Sequence, residues 1–322
     1  MYKHIYNNNF TFNENKFKTI MKFLADENDE NIRLDSYLTS LIADISRSKL
    51  QNAIKNGYVS VNGEFKKASH KIHEGDVIEF EQQVIEEVKI NSQNIPLDIV
   101  WEDENMLVVN KPSGMLTHPT TIERENTLVN ALLYKYGNNL SDVNGEFRRG
   151  IVHRLDRNTS GLLMIAKNNE THEILANQIK NKTAIKKYLA IVKGSVKNES
   201  GVINLPIGRH PTQPHKMAVV EGGKQSITEY KVLERFKNAT YLELNLKTGR
   251  THQIRVHMSY FRTPVFNDTL YGARPEKIKT QEQVLQAYKL QFTKPFSDEI
   301  INLEIEPDEK IQKVLKYLRS QK

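Results

Sequence analysis

Short strand-forming runs alternate with helix-like stretches over residues 96–322, and this alternation limits the fold more than any other feature. MLVVN at 106–110, GLLMIAK at 161–167 and YLAIVKG at 188–194 have the composition of buried strands, whereas THEILANQIKN at 171–181 has helical spacing. No glycine-rich phosphate loop of the Rossmann or P-loop type follows these runs. We therefore expect an α+β domain built on a central mixed sheet.

A smaller α+β segment is predicted at 21–80, ahead of this domain. Residues 1–20 are rich in Asn and have no clear period, so we expect a poorly ordered N-terminal extension, with Met21 as a candidate start codon. Elements expected within 21–80 are a strand after Met21, a helix over Leu34–Leu41, a second helix between Ser46 and Gly57, a hairpin turn at Asn62-Gly63 and a strand over Val77–Phe80. The polar, unpatterned residues 81–95 indicate a linker.

The second predicted helix carries a polar, basic face, because Arg47, Gln51 and Lys55 recur every four residues. Charge spacing alone fits an ordinary solvated face as well as a phosphate-binding one. RLDSYL at 33–38, SRSKLQNAIKNGYVSVNG at 46–63 and HEGDVI at 73–78 together resemble the S4 RNA-binding module. That resemblance implies that Arg47, Gln51 and Lys55 contact RNA.

Composition restricts the chemistry. The formal net charge of +7 over 322 residues favours a polyanionic partner, although a protein at a membrane surface can carry the same balance. The absence of Cys excludes disulfides, thiolate zinc sites and thiol nucleophiles. No apolar run approaches the roughly 18 residues of a membrane span, and MYKHIYNNNF lacks a secretory signal, so we expect a cytoplasmic location.

The segment GIVHRLDRNTSGLLMIAK at 150–167 places a polar cluster, His153 to Arg157, between two apolar runs. Asp156 lies in this cluster, ahead of a turn and a buried strand. Read alone, Asp156 fits a turn or cap residue that accepts hydrogen bonds from nearby N–H groups. A chemical role needs support from other segments.

Three further segments supply that support: NKPSGMLTHP at 110–119, KKYLAIVKG at 186–194 and KTGRTHQIRVHM at 247–258. In this order and spacing, and with Asp156, they resemble the RluA family of pseudouridine synthases. The resemblance runs from about Pro96 to Pro295. It implies a catalytic domain over 96–322 with a central mixed, largely antiparallel sheet, preceded by an S4-like α+β domain.

The resemblance also implies the reaction and the roles of its residues. Pseudouridylation breaks the N1–C1′ bond of uridine and rejoins the ring through C5, with Asp156 as catalytic carboxylate. Arg255, which we expect on a strand, would keep Asp156 ionised, and Tyr188 would stack on the base and move the C5 proton. Arg154 would enter the vacated base stack or pair with a phosphate. RNA contacts are also expected from Lys111, Arg250 and His252.

No cofactor is expected, because the isomerisation is redox-neutral and transfers no group. His252 and His257 lack HExxH spacing and have no acid between residues 248 and 259, so we expect no metal. The chain departs from the family pattern at Gln286, where histidine is usual, and at Asn267, where glycine is usual.

Other functions fit less well. A noncatalytic RNA-binding or ribosome-assembly protein would have lost Asp156, Tyr188 or Arg255, and all three are present. A glycosidase needs two facing carboxylates, whereas the motif holds only Asp156. We expect a monomer acting on ribosomal RNA of the large subunit, with transfer RNA as the second substrate class, and neither a membrane nor a nucleotide cofactor as partner.

Overall fold

The computed structural model describes residues 19–42, 45, 47–82, 90–272, 278 and 282–321. These residues form two compact units that divide between residues 88 and 89. Three predicted parts lie wholly or partly outside the described residues: most of the extension at 1–20, Ser46 at the start of the second predicted helix, and about half of the linker at 81–95.

The first unit is a small α+β fold. Its elements are β1 (Thr19–Leu24), α1 (Leu34–Leu41), α2 (Arg47–Lys55), β2 (Val59–Val61), β3 (Glu64–Phe65) and β4 (Val77–Gln82). The strands pair antiparallel in the order β1-β4-β2-β3. Asn62 and Gly63 both have positive φ, at 53° and 78°, which gives the β2–β3 hairpin the tight turn expected from the sequence.

The second unit is larger. Its strands are β5 (Ile99–Glu102), β6 (Met106–Lys111), β7 (Ser160–Ala166), β8 (Ile185–Lys193), β9 (Ser200–Asn204), β10 (Ile207–Arg209), β11 (Met217–Val219), β12 (Ile227–Arg235), β13 (Ala239–Leu246), β14 (Leu285–Thr293) and β15 (Ile300–Glu304). Its helices are α3 (Leu128–Tyr136), α4 (Asn169–Lys180), α5 (Gln253–Tyr260) and α6 (Glu309–Arg319). Within the described ranges, no helix is both long and apolar enough to cross a bilayer.

A mixed sheet forms the centre of this unit. Its strand order is β5-β6-β7-β14-β8-β13-β12-β9, and β15 also pairs with β14. The ladders are antiparallel except the one between β7 and β14, which confirms the α+β fold with a mixed, largely antiparallel sheet. Strand β14, late in the chain, lies between β7 and β8 and therefore joins the two halves of the sheet.

Gly161 allows the parallel contact between β7 and β14. Its φ is +116°, and a Cβ at this position would lie 2.1 Å from the carbonyl oxygen of Ala287. Only a residue without a side chain fits so close to a neighbouring backbone. This glycine therefore determines how the loop that precedes β7, which carries Asp156, enters the sheet.

The expectation that Arg255 lies on a strand is wrong, because the residue lies in helix α5. The sequence IRVH alternates apolar and polar residues and contains two β-branched residues, which favours a strand. In the structure every residue from Gln253 to Met258 is buried. A helix that is buried on all sides shows no amphipathic period, so its sequence carries no clear helical signal.

The two departures from the family pattern have local structural roles. Asn267 has φ of +60°, a left-handed conformation that Asn adopts more readily than most residues other than glycine. The Gln286 amide donates to the carbonyl of Glu306 and accepts from the N–H of Asp308. Gln286 therefore connects β14 to the start of helix α6.

Candidate active site

Asp156 lies in the loop that precedes β7, and the loop is anchored by Thr117. The Thr117 hydroxyl donates to the carbonyl of Leu155 at 2.9 Å and accepts from the Leu155 N–H at 3.3 Å. Leu155 itself is buried in the core. These contacts orient the Asp156 side chain, which is 18% exposed, toward a cavity of about 480 Å³.

Arg255 connects two carboxylates. Its Nη1 donates to Asp156 Oδ2 at 3.1 Å, while Nε and Nη2 donate to Asp268 at 2.7 and 3.0 Å. Burial by itself lowers the pKa of Arg255, but the hydrogen bonds and negative charge of Asp268 and Asp156 outweigh it and raise that pKa. The bidentate contact with Asp268 fixes the guanidinium plane, and one nitrogen remains for Asp156.

Tyr271 and His252 lie next to Arg255 and Asp156. The Tyr271 ring lies 5.0 Å from the Arg255 guanidinium carbon, and its hydroxyl lies 2.7 Å from His252 Nδ1. His252 Nε2 is 3.9 Å from Asp156 Oδ1. Burial lowers the pKa of His252, and the Asp156 charge opposes that effect. His252 is thus a half-buried imidazole close to the carboxylate.

Tyr188 lies on β8 and lines the same cavity as Asp156. The residue is buried, and burial, together with the Asp156 charge, raises the pKa of its hydroxyl well above the usual value. Its hydroxyl therefore stays protonated at neutral pH. A protonated phenol can donate a hydrogen bond and pass a proton, and its ring offers an apolar face for a base.

Arg154 is exposed at the mouth of the cavity, two residues before Asp156. Its Nη1 lies 3.3 Å from Nε2 of His118, and His118 Nδ1 lies 2.9 Å from the carbonyl of Pro119. Because a carbonyl only accepts, Nδ1 carries the proton and Nε2 accepts from Arg154. Burial lowers the pKa of His118, so the neutral ring that this pairing needs is favoured.

The cavity lining is strongly basic. The cationic side chains on it are those of Arg154, Lys180, Lys182, Lys186, Lys247, Arg250 and Arg255. Asp156 is the only carboxylate among the described residues of this lining. A basic lining with a single carboxylate suits a polyanionic substrate whose reacting atoms lie near that carboxylate.

The structure brings together six residues expected at the site: Arg154, Asp156, Tyr188, Arg250, His252 and Arg255. Lys111 is an exception, since it is fully buried and its ammonium donates to the carbonyls of Pro112, Met115 and Arg157. These bonds do not suit the RNA contact expected for Lys111. They fit a residue that fixes the loop after Asp156.

Comparisons with known proteins identify the family. The RNA pseudouridylate synthase family matches residues 105–260, and the S4 domain matches residues 32–78. The uncharacterized RNA pseudouridine synthase YlyB of Bacillus subtilis is 42% identical over 92% of this chain and 97% of its own. The ribosomal large subunit pseudouridine synthase D of Haemophilus ducreyi is 39% identical over 84% of this chain and 85% of its own.

The chain belongs to the RNA pseudouridylate synthase family. A solved structure of human RNA pseudouridylate synthase domain containing 1 has a TM-score of 0.54 and 25% identity, and it matches 71% of this chain and 97% of that one. The chain is an RNA-modifying isomerase with an S4 domain at its N-terminal side. The residues that match the pseudouridine synthase family include the Asp156 loop, β8 and α5.

Several residues that shape the site of this synthase were missed in the sequence. Asp268 and Tyr271 were given no role from the sequence but contact Arg255, and Gln253 holds the turn before α5. The Gln253 side chain accepts from Thr248 and from the Arg250 N–H, and it donates to Ile227 and Thr228. The signal for Asp268 was its place in NDTLYG, where an acid precedes a turn.

The polar face expected on α2 of the S4 domain is only partly available to RNA. Lys55 is exposed at the end of α2, whereas Gln51 Nε2 donates to the buried Asp35 carboxylate at 2.7 Å. Arg33 donates to the same carboxylate through two nitrogens. The side chain of Arg47 lies outside the described part of the chain. Gln51 therefore also links α2 to α1.

Proposed function

We propose that Asp156 is the catalytic carboxylate of this synthase and that its substrate is a uridine in ribosomal RNA of the large subunit. The observation that carries the first part is the single carboxylate among the described residues of the cavity lining, oriented by Arg255 at 3.1 Å. The second part is supported by relatives named for the ribosomal large subunit, such as the Pseudomonas aeruginosa enzyme at 40% identity.

The proposed reaction conserves atoms and electrons. The N1–C1′ bond breaks, a C5–C1′ bond forms, C5 loses a proton and N1 gains one. A carboxylate here can add to C1′ of the ribose or to the uracil ring, and either route uses Asp156 with Arg255 beside it. Tyr188 would stack against the base and relay the C5 proton, which its neutral phenol can accept only as it releases its own proton.

Chemical mapping of pseudouridine in total RNA, from cells with and without the gene, tests the substrate. We expect the difference at uridines of large-subunit ribosomal RNA. A difference confined to transfer RNA would show that transfer RNA is the substrate, and the proposed chemistry would stand. No difference in any RNA would contradict the proposed function. We further propose a cytoplasmic monomer, which light scattering and cell fractionation can check.

The S4 domain is proposed to add affinity without chemistry. A deletion of residues 1–88 should weaken RNA binding and lower the slope of log affinity against log salt by about 0.7–0.9 for each phosphate that the shortened protein no longer neutralises. The deletion ends before Ile90, which packs in the catalytic core. Filter binding at several salt concentrations gives the slope.

Single variants separate this effect from misfolding. Lys55→Ala should lower the slope by about 0.7–0.9, because the variant no longer neutralises the phosphate that Lys55 would contact. Lys66→Ala is the control, since the Lys66 ammonium pairs with Glu64 at 2.5 Å in the same domain. Equal slopes for the wild type and for the deletion would show that this domain does not contact RNA.

Arg154 is proposed to stabilise the RNA after the uridine leaves the stack. Arg154→Ala should lower turnover by roughly 10- to 100-fold on structured RNA, since unstacking a base costs a few kcal/mol. An RNA with the target uridine already unpaired should recover part of that loss. Arg250→Ala is the control, because this exposed cation also lines the cavity mouth. If turnover of both variants recovers equally on the RNA with the unpaired uridine, Arg154 has no specific role in base flipping.

A further inference from the structure

Lys186 is a buried cation for which the reaction scheme above has no use. It lies on β8, is 9% exposed and lines the cavity. Among the described residues, no carboxylate or hydrogen-bond acceptor pairs with its ammonium. Burial lowers the pKa of Lys186 to about 8, and no neighbouring charge offsets that effect. Unpaired buried charges are costly, so one that borders a binding cavity indicates an anionic ligand.

The position of Lys186 relative to the proposed reacting groups narrows the choice of anion. Lys186 and Tyr188 are two residues apart on β8, so their side chains point to the same face of the sheet. Their Cα atoms are about 7 Å apart along the strand. A Cβ on Gly249 would lie 3.8 Å from Lys186 Nζ, so the turn before α5 borders the ammonium. Lys186 is therefore about one nucleotide unit from the base that would lie on Tyr188.

We propose that Lys186 binds a backbone phosphate directly next to the uridine that enters the cavity. The proposal rests on the proposed use of this cavity by the reacting nucleotide. Lys186 acts in binding and takes no part in bond breaking. It differs in this respect from Asp156, Arg255 and Tyr188.

A phosphate fits the ammonium better than a carbonyl of uracil does. A neutral carbonyl leaves the positive charge uncompensated, whereas a phosphate supplies a full negative charge and several acceptor oxygens. Exposed cations at Lys180, Lys182 and Arg250 line the same cavity. Several cations on one lining suit a substrate with more than one phosphate better than a single isolated anion.

The test uses the full-length protein and four small probes: uridine, uridine 5′-monophosphate, uridine 3′-monophosphate and uridine 3′,5′-bisphosphate. Their dissociation constants are measured by NMR titration. For the wild type, at least one phosphate should tighten binding by about tenfold or more. Comparison of the two monophosphates identifies which side of the uridine Lys186 contacts.

Lys186→Met should lose this gain and bind the monophosphate that Lys186 contacts as weakly as uridine. Its melting temperature should stay equal or rise, because an unpaired buried charge has been removed. Lys187→Met is the matched control: Lys187 is the next residue on β8, and its ammonium pairs with Glu243 at 3.0 Å. The control should keep the full phosphate gain.

Two results would overturn the proposal. One is a wild type that binds uridine and the bisphosphate equally, and the other is Lys186→Met with an undiminished phosphate gain. Neither depends on which RNA the enzyme modifies. Failure of the substrate proposal would appear in the pseudouridine map, whereas failure of the Lys186 proposal appears only in the nucleotide titration.

Discussion

In Asp156→Asn we expect pseudouridine formation to fall by at least about 10⁴-fold, while RNA affinity stays near that of the wild type. The substitution keeps the size of the side chain and removes its negative charge, so the proposed nucleophile is lost. Arg255 remains anchored by the two hydrogen bonds to Asp268, so we expect the surrounding structure to be retained. Single-turnover assays on the mapped RNA give the rate, and filter binding gives the affinity.

Asp298→Asn is the matched control for this variant. Asp298 is exposed in the loop between β14 and β15, away from the cavity, and its substitution changes the net charge by the same amount. The control should keep wild-type turnover. Substantial turnover by Asp156→Asn on its native RNA would contradict the catalytic assignment, and loss of RNA binding would point to a structural role.

The second large effect is expected in Asp268→Asn, although Asp268 lies behind Arg255. Asp268 is 2% exposed and accepts from Nε and Nη2 of Arg255. An amide there puts an N–H group against a guanidinium that can only donate, so the guanidinium should turn away from Asp156. We expect a fall in kcat of about 100-fold or more, with KM nearly unchanged, and a loss of about 3 kcal/mol in unfolding free energy.

Destabilisation alone must be separated from this effect. Asp308→Ala removes the N-cap of α6 and should cost about 1 kcal/mol without a change in kcat. Both variants are assayed at a temperature where circular dichroism shows them folded. A wild-type kcat in folded Asp268→Asn would show that the orientation of Arg255 does not depend on this carboxylate.

The sequence predicted those parts of the fold that have a clear local period. The spacing of Ile311, Val314, Leu315 and Leu318 predicts helix α6, and these four residues are buried as that spacing requires. The hairpin at Asn62-Gly63 was likewise evident from turn chemistry. Helix α5 was mistaken for a strand because its buried surroundings, and not its own pattern, determine its conformation.

The site was less predictable because its supporting contacts join distant parts of the chain. Lys111 and Lys186 look alike in the sequence, yet one ammonium lies among three carbonyl oxygens and the other borders the cavity. Asp268 contacts Arg255 from a turn 13 residues further along the chain. Composition and spacing identify residue types, whereas the partner of a buried charge depends on the complete fold.

The late strand β14 has a consequence for synthesis of the protein. β7 and β8 are complete by residue 193, but β14, the strand between them, spans Leu285–Thr293. On the ribosome, about 100 further residues are synthesised between the end of β8 and the end of β14. At ordinary elongation rates this interval lasts roughly 5–20 s. Their unpaired apolar edges are exposed throughout that interval. We therefore expect nascent chains of this enzyme to depend on chaperones until residue 293 has emerged.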